Sequence, residues 1–164
     1  MTEYVFSDQE YGDVLDNFVI GCVDVAVHYE GRILLERRKY NPIKDEWWIF
    51  GGRMLRNETL KEAAVRGMDR ELGLTLPGER FSELGAYNLI WPSRREVEEL
   101  SGCQHLLIAH RVELDRRDYE DVNKHIVAKS ITAEWFNYKD VIGENFLDEI
   151  KDIAHRLSVN DTRN

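Results

Sequence analysis

The sequence has few of the features that would mark a disulfide-rich, membrane-spanning or nucleic-acid-binding protein. Its two cysteines, Cys22 and Cys103, are too few for a disulfide framework, so we expect free thiols in a reducing compartment. No run approaches the roughly 18 consecutive apolar residues that span a bilayer, and the acidic start MTEYVFSDQEYGD does not resemble a signal peptide. With 22 Lys and Arg against 31 Asp and Glu, the net charge of −9 argues against a nucleic-acid partner. We therefore expect a cytoplasmic protein without nucleic-acid or membrane partners, able to hold a small anionic ligand through local arginines.

The chain is long enough for one domain with a substantial core, which we expect over residues 1–164 with the core at about 16–157. Ser7 or Asp8 could cap a short helix through Leu15. Two β-branched runs predict a hairpin that turns at Tyr29–Gly31, and EWWIF predicts a strand that stops at Gly51-Gly52. Further strands are predicted over 83–93, 103–114 and 131–138, and an amphipathic helix follows from Phe146 to Leu157. This mixture indicates an α/β or α+β sandwich.

The segment that follows the double glycine predicts a helix suited to an ion site. Asn57 can cap a helix from about Glu58 to Leu72, and Gly73 can end it. Glycines let the backbone turn sharply and approach a ligand, so that carbonyl oxygens can face a hard cation such as Mg²⁺. On the helix Glu58 lies about two turns before Arg66, and we expect an ion pair between them to brace the loop.

This stretch resembles the Nudix superfamily motif, G-x5-E-x7-R-E-U-x-E-E-x-G-U, in which U is a bulky aliphatic residue. The motif's other two Glu positions hold Gly67 and Arg70, which differ from the metal-binding or catalytic acids of ordinary members. The resemblance implies an α/β/α sandwich with a mixed β-sheet and a loop-helix-loop catalytic motif. The matching residues are Gly52, Glu58, Arg66, Met68, Glu71, Gly73 and Leu74.

The resemblance is strongest to the GDP-mannose mannosyl hydrolase branch, which keeps the motif's Arg and last Glu but lacks the other acids. It extends over FSDQEYGDVLDNFVIGCVDVAV, ILLERRKYNPIKDEWWIFGGRM and ITAEWF, or roughly residues 6–140. In that branch the first glycine's carbonyl and the last motif Glu hold the metal, which implies Gly51 and Glu71 as ligands. The cofactor implied is Mg²⁺, with Mn²⁺ as an alternative.

The same resemblance implies a set of substrate-contacting and catalytic residues. An Arg beside the departing diphosphate falls on Arg38, with Arg37 next to it, and an Asp of the first long strand falls on Asp24. Arg53 and the motif's Arg66 complete the group. A guanidinium matches diphosphate oxygens and stabilises charge on a leaving group.

The resemblance fails at the general base. The branch has a Gln-His pair before the late Trp, and an ungapped count back from Trp135 puts Lys129 and Ser130 there. Neither residue is a good substitute, because an ammonium repels Mg²⁺ and a hydroxyl is a weak base. His125 and His105 are both candidates, since an imidazole can act near neutral pH.

The resemblance implies water attack at the anomeric carbon of GDP-mannose, which releases GDP and mannose with inversion. Such a reaction needs fewer acids around the metal than attack at phosphorus. Two alternatives are a pyrophosphohydrolase of another nucleoside diphosphate derivative and a protein that binds a nucleotide sugar without cutting it. The N-terminal 1–15 segment resembles one used for dimerisation, so we also expect a homodimer.

Overall fold

The computed structural model describes residues 7–94 and 102–161. Within these ranges the chain forms a mixed sheet and five α-helices. The strands are β1 Ile20–Tyr29, β2 Arg32–Arg37, β3 Trp47–Trp48, β4 Phe50–Arg53, β5 Ser82–Trp91, β6 Cys103–Glu113 and β7 Ala133–Asn137. The helices are α1 Asp8–Asn17, α2 Leu60–Leu72, α3 Arg116–Lys129, α4 Tyr138–Gly143 and α5 Asp148–Asp161.

The sheet is built around β1, which pairs with three other strands. The main strand order is β3-β2-β1-β6-β5, with β4 also paired to β1 and β7 paired to β2. Strands β1 and β6 are parallel, whereas the other pairs are antiparallel. The β1–β2 hairpin turns at Glu30 and Gly31, both with positive φ, as the sequence predicted.

Helices cover both faces of the sheet, which makes the fold the α/β/α sandwich that the sequence indicated. On one face Leu35 and Leu107 pack with Ile150 and Leu157 of α5. The opposite face packs Val25 and other residues against α2 and α3. Within the described ranges no helix is long and apolar enough to cross a membrane.

The structure corrects both predicted boundaries around the double glycine. Helix α2 begins at Leu60 rather than Glu58, because Thr59 forms a capping box with Glu62. Asn57 is not the cap and instead has a left-handed φ of 68°. The strand does not stop at the glycines either, since β4 continues through them to Arg53 in antiparallel pairing with β1.

Two helices were not predicted, and two others agree with the sequence. Helix α3 was missed because Val122 is its only buried residue, which leaves its apolar pattern weak. The short α4 was missed as well. Helix α1 begins after a Ser7 cap and runs to Asn17, two residues beyond the prediction. Helix α5 buries Ile150, Ile153, Ala154 and Leu157 as its periodicity indicated, although it begins at Asp148.

Candidate active site

The backbone at Gly51 lies between strand β1 and helix α2. Gly51 pairs with Asp24 and has a φ of 150°, a conformation that favours glycine. A side chain there would overlap the Val23 carbonyl oxygen and Asp24. On the helix side, a Cβ added to Gly67 would lie 3.6 Å from the Gly51 Cα. The carbonyl of Gly51 is therefore held beside α2 by a backbone that has little room to move.

Gly67 is the first of the two departures from the motif. It lies inside α2 and is buried, and a Cβ at this position would make only an ordinary van der Waals contact with Gly51. The backbone at Gly67 therefore has room for a Cβ. The position lacks the carboxylate that the motif has there, which changes the chemistry of the site.

Arg70, the second departure, joins the two atoms implied as metal ligands. Its Nη2 donates to the Gly51 carbonyl oxygen at 3.0 Å and to Glu71 Oε1 at 2.6 Å. Its Nε donates to the same Glu71 oxygen at 2.9 Å. The carbonyl and the carboxylate therefore converge on one positively charged group, although they come from a strand and a helix.

The oxygen atoms at this position supply part of the ligand set that a single divalent cation needs. Gly51 and Glu71 present oxygen atoms, which Mg²⁺ prefers, and both lie within 3.0 Å of one nitrogen. Over residues 7–94 and 102–161, no three or more His, Cys, Asp or Glu side chains form a group that could hold a metal ion. A cation here would have to displace the Arg70 guanidinium and draw further oxygen ligands from substrate or water.

The loop between β4 and α2 is braced by the Glu58–Arg66 ion pair that the sequence predicted. Arg66 donates from Nε and, at 2.9 Å, from Nη2 to the Glu58 carboxylate. The same Nη2 donates to the Arg53 carbonyl at 2.9 Å, and Glu58 accepts from the Leu55 N–H at 2.7 Å. Hydrogen bonding to Arg66 holds the pKa of Glu58 below its ordinary value. Arg66 thus positions the loop, and the substrate contact that the resemblance implied for it stays a prediction.

Asp24 is a buried acid beside the Gly51 backbone. It faces the α5 side of the sheet with Cys22 and Ala26, and its carboxylate accepts a 2.9 Å hydrogen bond from the indole N–H of Trp48. Burial raises the pKa of Asp24 to about 6 despite this hydrogen bond. Asp24 can therefore exchange a proton near neutral pH, which suits an acid or base.

Arg38 follows β2 and pairs with Glu36, with 2.7 Å between Nη1 and Oε1. Burial raises the pKa of Glu36, and the negative charge of Glu71 raises it further. The charges of Arg38, Glu36 and Glu71 all act on Asp24. These four residues therefore form one electrostatically coupled group around the Gly51 turn.

The other two proposed arginines lie at different edges of this region. Arg37 is exposed and donates from Nε to the Asp45 carbonyl at 3.2 Å. Arg53 is also exposed, and its guanidinium lies over the Tyr11 ring of α1 at 4.2 Å. This cation–π contact brings the N-terminal helix up to the end of β4.

The two candidate histidines lie on opposite faces of the sheet. His105 shares a face of β6 with Leu107, which packs in the α5 core. His125 lies on α3, and its ring packs against Gly73. A Cβ added to Gly73 would lie 2.6 Å from the His125 Nδ1. Gly73 is two residues after Glu71, so His125 lies at the end of α2 that carries Glu71. Lys129 ends α3, and Ser130 is its left-handed cap.

Sequence reasoning missed three features of this site. Glu36 was detectable, because it lies two residues before Arg38 and alternation favours a shared side for the two. The bond from Trp48 to Asp24 was not detectable, because it joins side chains of two different strands, β3 and β1. The contact of Arg70 with Gly51 depends on how α2 crosses β4, which no local pattern reveals.

The mixed sheet and its two helix layers form an α/β/α sandwich, in which a loop and helix α2 follow Gly51-Gly52. The NUDIX domain family matches residues 20–157, and the chain belongs to this family. Nudix hydrolases act on nucleotide-derived substrates and generally use divalent metal ions. The chain is 32% identical over 118 residues to the low-salt glycan biosynthesis protein Agl8 of Haloferax volcanii, covering 72% of this chain and 74% of that protein.

Solved structures share the fold at low sequence identity. The MutT NUDIX hydrolase of Burkholderia pseudomallei aligns with a TM-score of 0.63 and 18% identity, over 86% of this chain and 99% of that one. NrtR of Shewanella oneidensis, solved with a 27mer DNA, aligns with a TM-score of 0.64 and 14% identity. The alignment covers 87% of this chain but only 62% of NrtR. These likenesses show the fold alone.

Proposed function

We propose that this protein is a Mg²⁺-dependent hydrolase of a nucleoside-diphosphate sugar, with GDP-mannose as the leading substrate. Water attacks the anomeric carbon of the sugar, and GDP and mannose are released. The observation that carries this proposal is the convergence of the Gly51 carbonyl and the Glu71 carboxylate on one position, where the described residues form no three-acid metal group. One carboxylate suits cleavage at carbon, where the ion only has to activate a leaving group.

The cationic residues around the Gly51 turn support a diphosphate leaving group. The charge of Arg38 acts on Asp24 beside Gly51, and Arg53 and Arg37 lie at different edges of the same region. Such groups neutralise the charge that develops on a departing nucleoside diphosphate. A bound Mg²⁺ would add to this neutralisation by binding diphosphate oxygens. Arg66 contributes indirectly, because it fixes the Arg53 carbonyl and the loop.

The attacking water needs a group that can accept its proton. Asp24 has a pKa near 6 next to the Gly51 backbone, which supports a role in proton transfer or in orienting the sugar. His125 lies against Gly73 at the end of α2 that carries Glu71, whereas His105 lies on the α5 face of the sheet, as Asp24 does. We therefore propose His125 as the base in preference to His105.

The relative in Haloferax volcanii supports a sugar-containing substrate. Its name places that protein in low-salt glycan biosynthesis, and 32% identity extends over 72% of this chain. Nucleotide sugars are the activated donors of glycan assembly, so an enzyme related to that process fits a nucleotide-sugar substrate. GDP-mannose itself is proposed on the resemblance of the motif and its flanking segments.

A binding protein without catalytic activity is the second candidate. The Arg70 guanidinium at the cation position favours it, as does the lack of a three-acid metal group among the described residues. Such a protein would hold a nucleotide sugar through its arginines and release it intact. Retention of Glu71 and of the braced Gly51 loop favours the enzyme, because a binding protein needs neither.

Product analysis with Mg²⁺ tests the proposal. The purified protein is incubated with a panel of nucleotide sugars and nucleoside triphosphates, and the products are separated by anion exchange. GDP plus mannose supports the proposal, GMP plus mannose 1-phosphate indicates pyrophosphohydrolase activity, and binding without turnover indicates the binding protein. Glu71→Gln should lose most turnover, whereas Asp69→Asn removes one charge from the same helix and should retain it.

We also propose a cytoplasmic homodimer that uses the N-terminal segment. Phe18 and Val19, which directly follow α1, are 66% and 51% exposed in the single chain. Apolar side chains this exposed are suited to an interface between copies. Residues 1–6 of the expected dimer segment lie outside the described residues. Light scattering at micromolar concentration should give the dimer mass, and a monomer mass would exclude this assembly.

A further inference from the structure

Arg70 is a cation that the chain itself supplies at the proposed metal position. Its Nη2 lies 3.0 Å from the Gly51 carbonyl oxygen and 2.6 Å from Glu71 Oε1. These are the two atoms that the proposed function assigns to the metal ion. The family motif has Glu at this position, so the substitution reverses the charge of the side chain that faces the site.

The contact with Gly51 distinguishes Arg70 from an ordinary surface arginine. An ion pair between sequence neighbours such as Arg70 and Glu71 would by itself contribute little, because exposed pairs are weak. Gly51, however, lies on β4 and is 19 positions earlier in the chain. The guanidinium also passes over Gly52, where an added Cβ would lie 3.1 Å from Nη2. Arg70 therefore connects helix and strand through the atoms of the site.

A guanidinium and a divalent ion cannot occupy this position together. Both are positive, and both need the lone pairs of the same carbonyl and carboxylate oxygens. Arginine stays protonated throughout the physiological pH range, so Arg70 can yield only by moving away. Its side chain is 48% exposed, which gives the guanidinium a path into solvent.

We infer that Arg70 competes with divalent metal ions for Gly51 and Glu71 and thereby lowers the metal affinity of the protein. In the absence of metal the guanidinium satisfies both oxygens, and metal binding displaces it. The inference rests on the metal site of the proposed function and adds to it the residue that sets its affinity.

Binding of Mn²⁺ alone tests this inference without relying on turnover. Free Mn²⁺ is measured by electron paramagnetic resonance in titrations of the wild type, Arg70→Ala and Arg117→Ala. Arg117 is an exposed arginine on α3, so Arg117→Ala changes the net charge by the same amount as Arg70→Ala. We expect Arg70→Ala to bind Mn²⁺ about tenfold more tightly than the wild type does. In that variant one charge-assisted contact, that of Arg70, no longer competes with the ion for the two oxygens. The Arg117→Ala affinity should stay close to that of the wild type.

The outcomes separate this inference from the proposed function. Equal affinities for the wild type and Arg70→Ala, with binding lost in Glu71→Gln, would overturn the competition but leave the metal site in place. If Arg70→Ala and Arg117→Ala both bound Mn²⁺ more tightly by the same factor, the gain in affinity would come from net charge alone. That result would also overturn the competition. If neither the wild type nor Arg70→Ala bound Mn²⁺, the inference and the metal dependence of the proposed function would both fail.

A measurement on the wild-type chain covers the case in which Arg70→Ala does not fold. The Nε–H signal of Arg70 is assigned in a nitrogen-15 correlation spectrum by its absence in Arg70→Lys. We expect this signal to shift when Mg²⁺ is added, because the Nε–H loses its bond to Glu71. An Arg70 signal unchanged at saturating Mg²⁺ would show that the guanidinium stays in place and would overturn the inference.

Discussion

The indole N–H of Trp48 donates a 2.9 Å hydrogen bond to the carboxylate of Asp24, in the buried layer next to the Gly51 turn. Burial nevertheless dominates, and the pKa of Asp24 rises to about 6. A carboxyl in an unfolded chain titrates near ~3.9. Between these two values the folded protein binds more protons than the unfolded chain. Its stability should therefore fall as pH rises from about 4 to 6 and stay lower above that range.

Replacing Asp24 by Asn should remove this dependence. The amide oxygen can still accept from Trp48, but the side chain no longer ionises. Relative to the wild type, the unfolding free energy of Asp24→Asn should be higher at pH 7 than at pH 4 by roughly 2 kcal/mol. Urea unfolding of both proteins at the two pH values measures this, and other titrating groups cancel in the comparison. A difference independent of pH would mean that Asp24 is not perturbed by burial.

The Glu58–Arg66 brace should contribute to stability as well as to loop position. Glu58→Gln breaks the ion pair and weakens the bond from the Leu55 N–H, at an expected cost of about 1.5–3 kcal/mol. The pKa of Glu58 is lowered by Arg66, so this contribution should be present at neutral pH and be lost as pH falls through that pKa. Urea unfolding at neutral and acid pH measures both effects.

Glu120→Gln is the matched control for this experiment, because Glu120 also pairs with an arginine but on the exposed surface of α3. It should change stability little at either pH. Equal losses in Glu58→Gln and Glu120→Gln would show that the Glu58 pair is only a surface contact.

The two glycines of the turn should differ in their tolerance of alanine. Both have a φ that favours glycine, which costs an alanine about 1–3 kcal/mol. At Gly52 the added Cβ meets only the mobile end of Arg70, whereas at Gly51 it overlaps the β1 backbone. Gly51→Ala should therefore be clearly less stable than Gly52→Ala in urea unfolding. Equal stability of the two variants would contradict the fixed position assigned to the Gly51 carbonyl.

The histidines can be separated by their effect on turnover. His125→Ala should lower kcat strongly, because His125 lies at the Glu71 end of α2, whereas His105→Ala should retain most of it. Retention of full rate in both variants would place the base elsewhere, with Asp24 the next candidate.

The sequence predicted the parts of the fold that depend on local patterns. The β1–β2 hairpin, the apolar face of α5 and the end of α2 at Gly73 follow from alternation, helical spacing and a left-handed glycine. The α2 start was misplaced by two residues, because Asn57 and Thr59 are both capping residue types and only Thr59 has Glu62 three positions later.

The site was less accessible to sequence reasoning, because its contacts join distant elements. The Glu58–Arg66 pair could be predicted from positions along one loop and helix. The bond of Trp48 to Asp24 links β3 to β1, and that of Arg70 to Gly51 links α2 to β4. Neither contact has a local signature. The placement of His105 and His125 on opposite faces likewise depends on helix α3, which the sequence pattern did not indicate.

The position of bond cleavage tests the central claim most directly. The protein is incubated with Mg²⁺ and GDP-mannose in water enriched in oxygen-18, and the products are analysed by mass spectrometry. We predict that the label enters mannose and that GDP carries none, because water attacks carbon. Label in a phosphate group, or products of GMP and mannose 1-phosphate, would contradict the account.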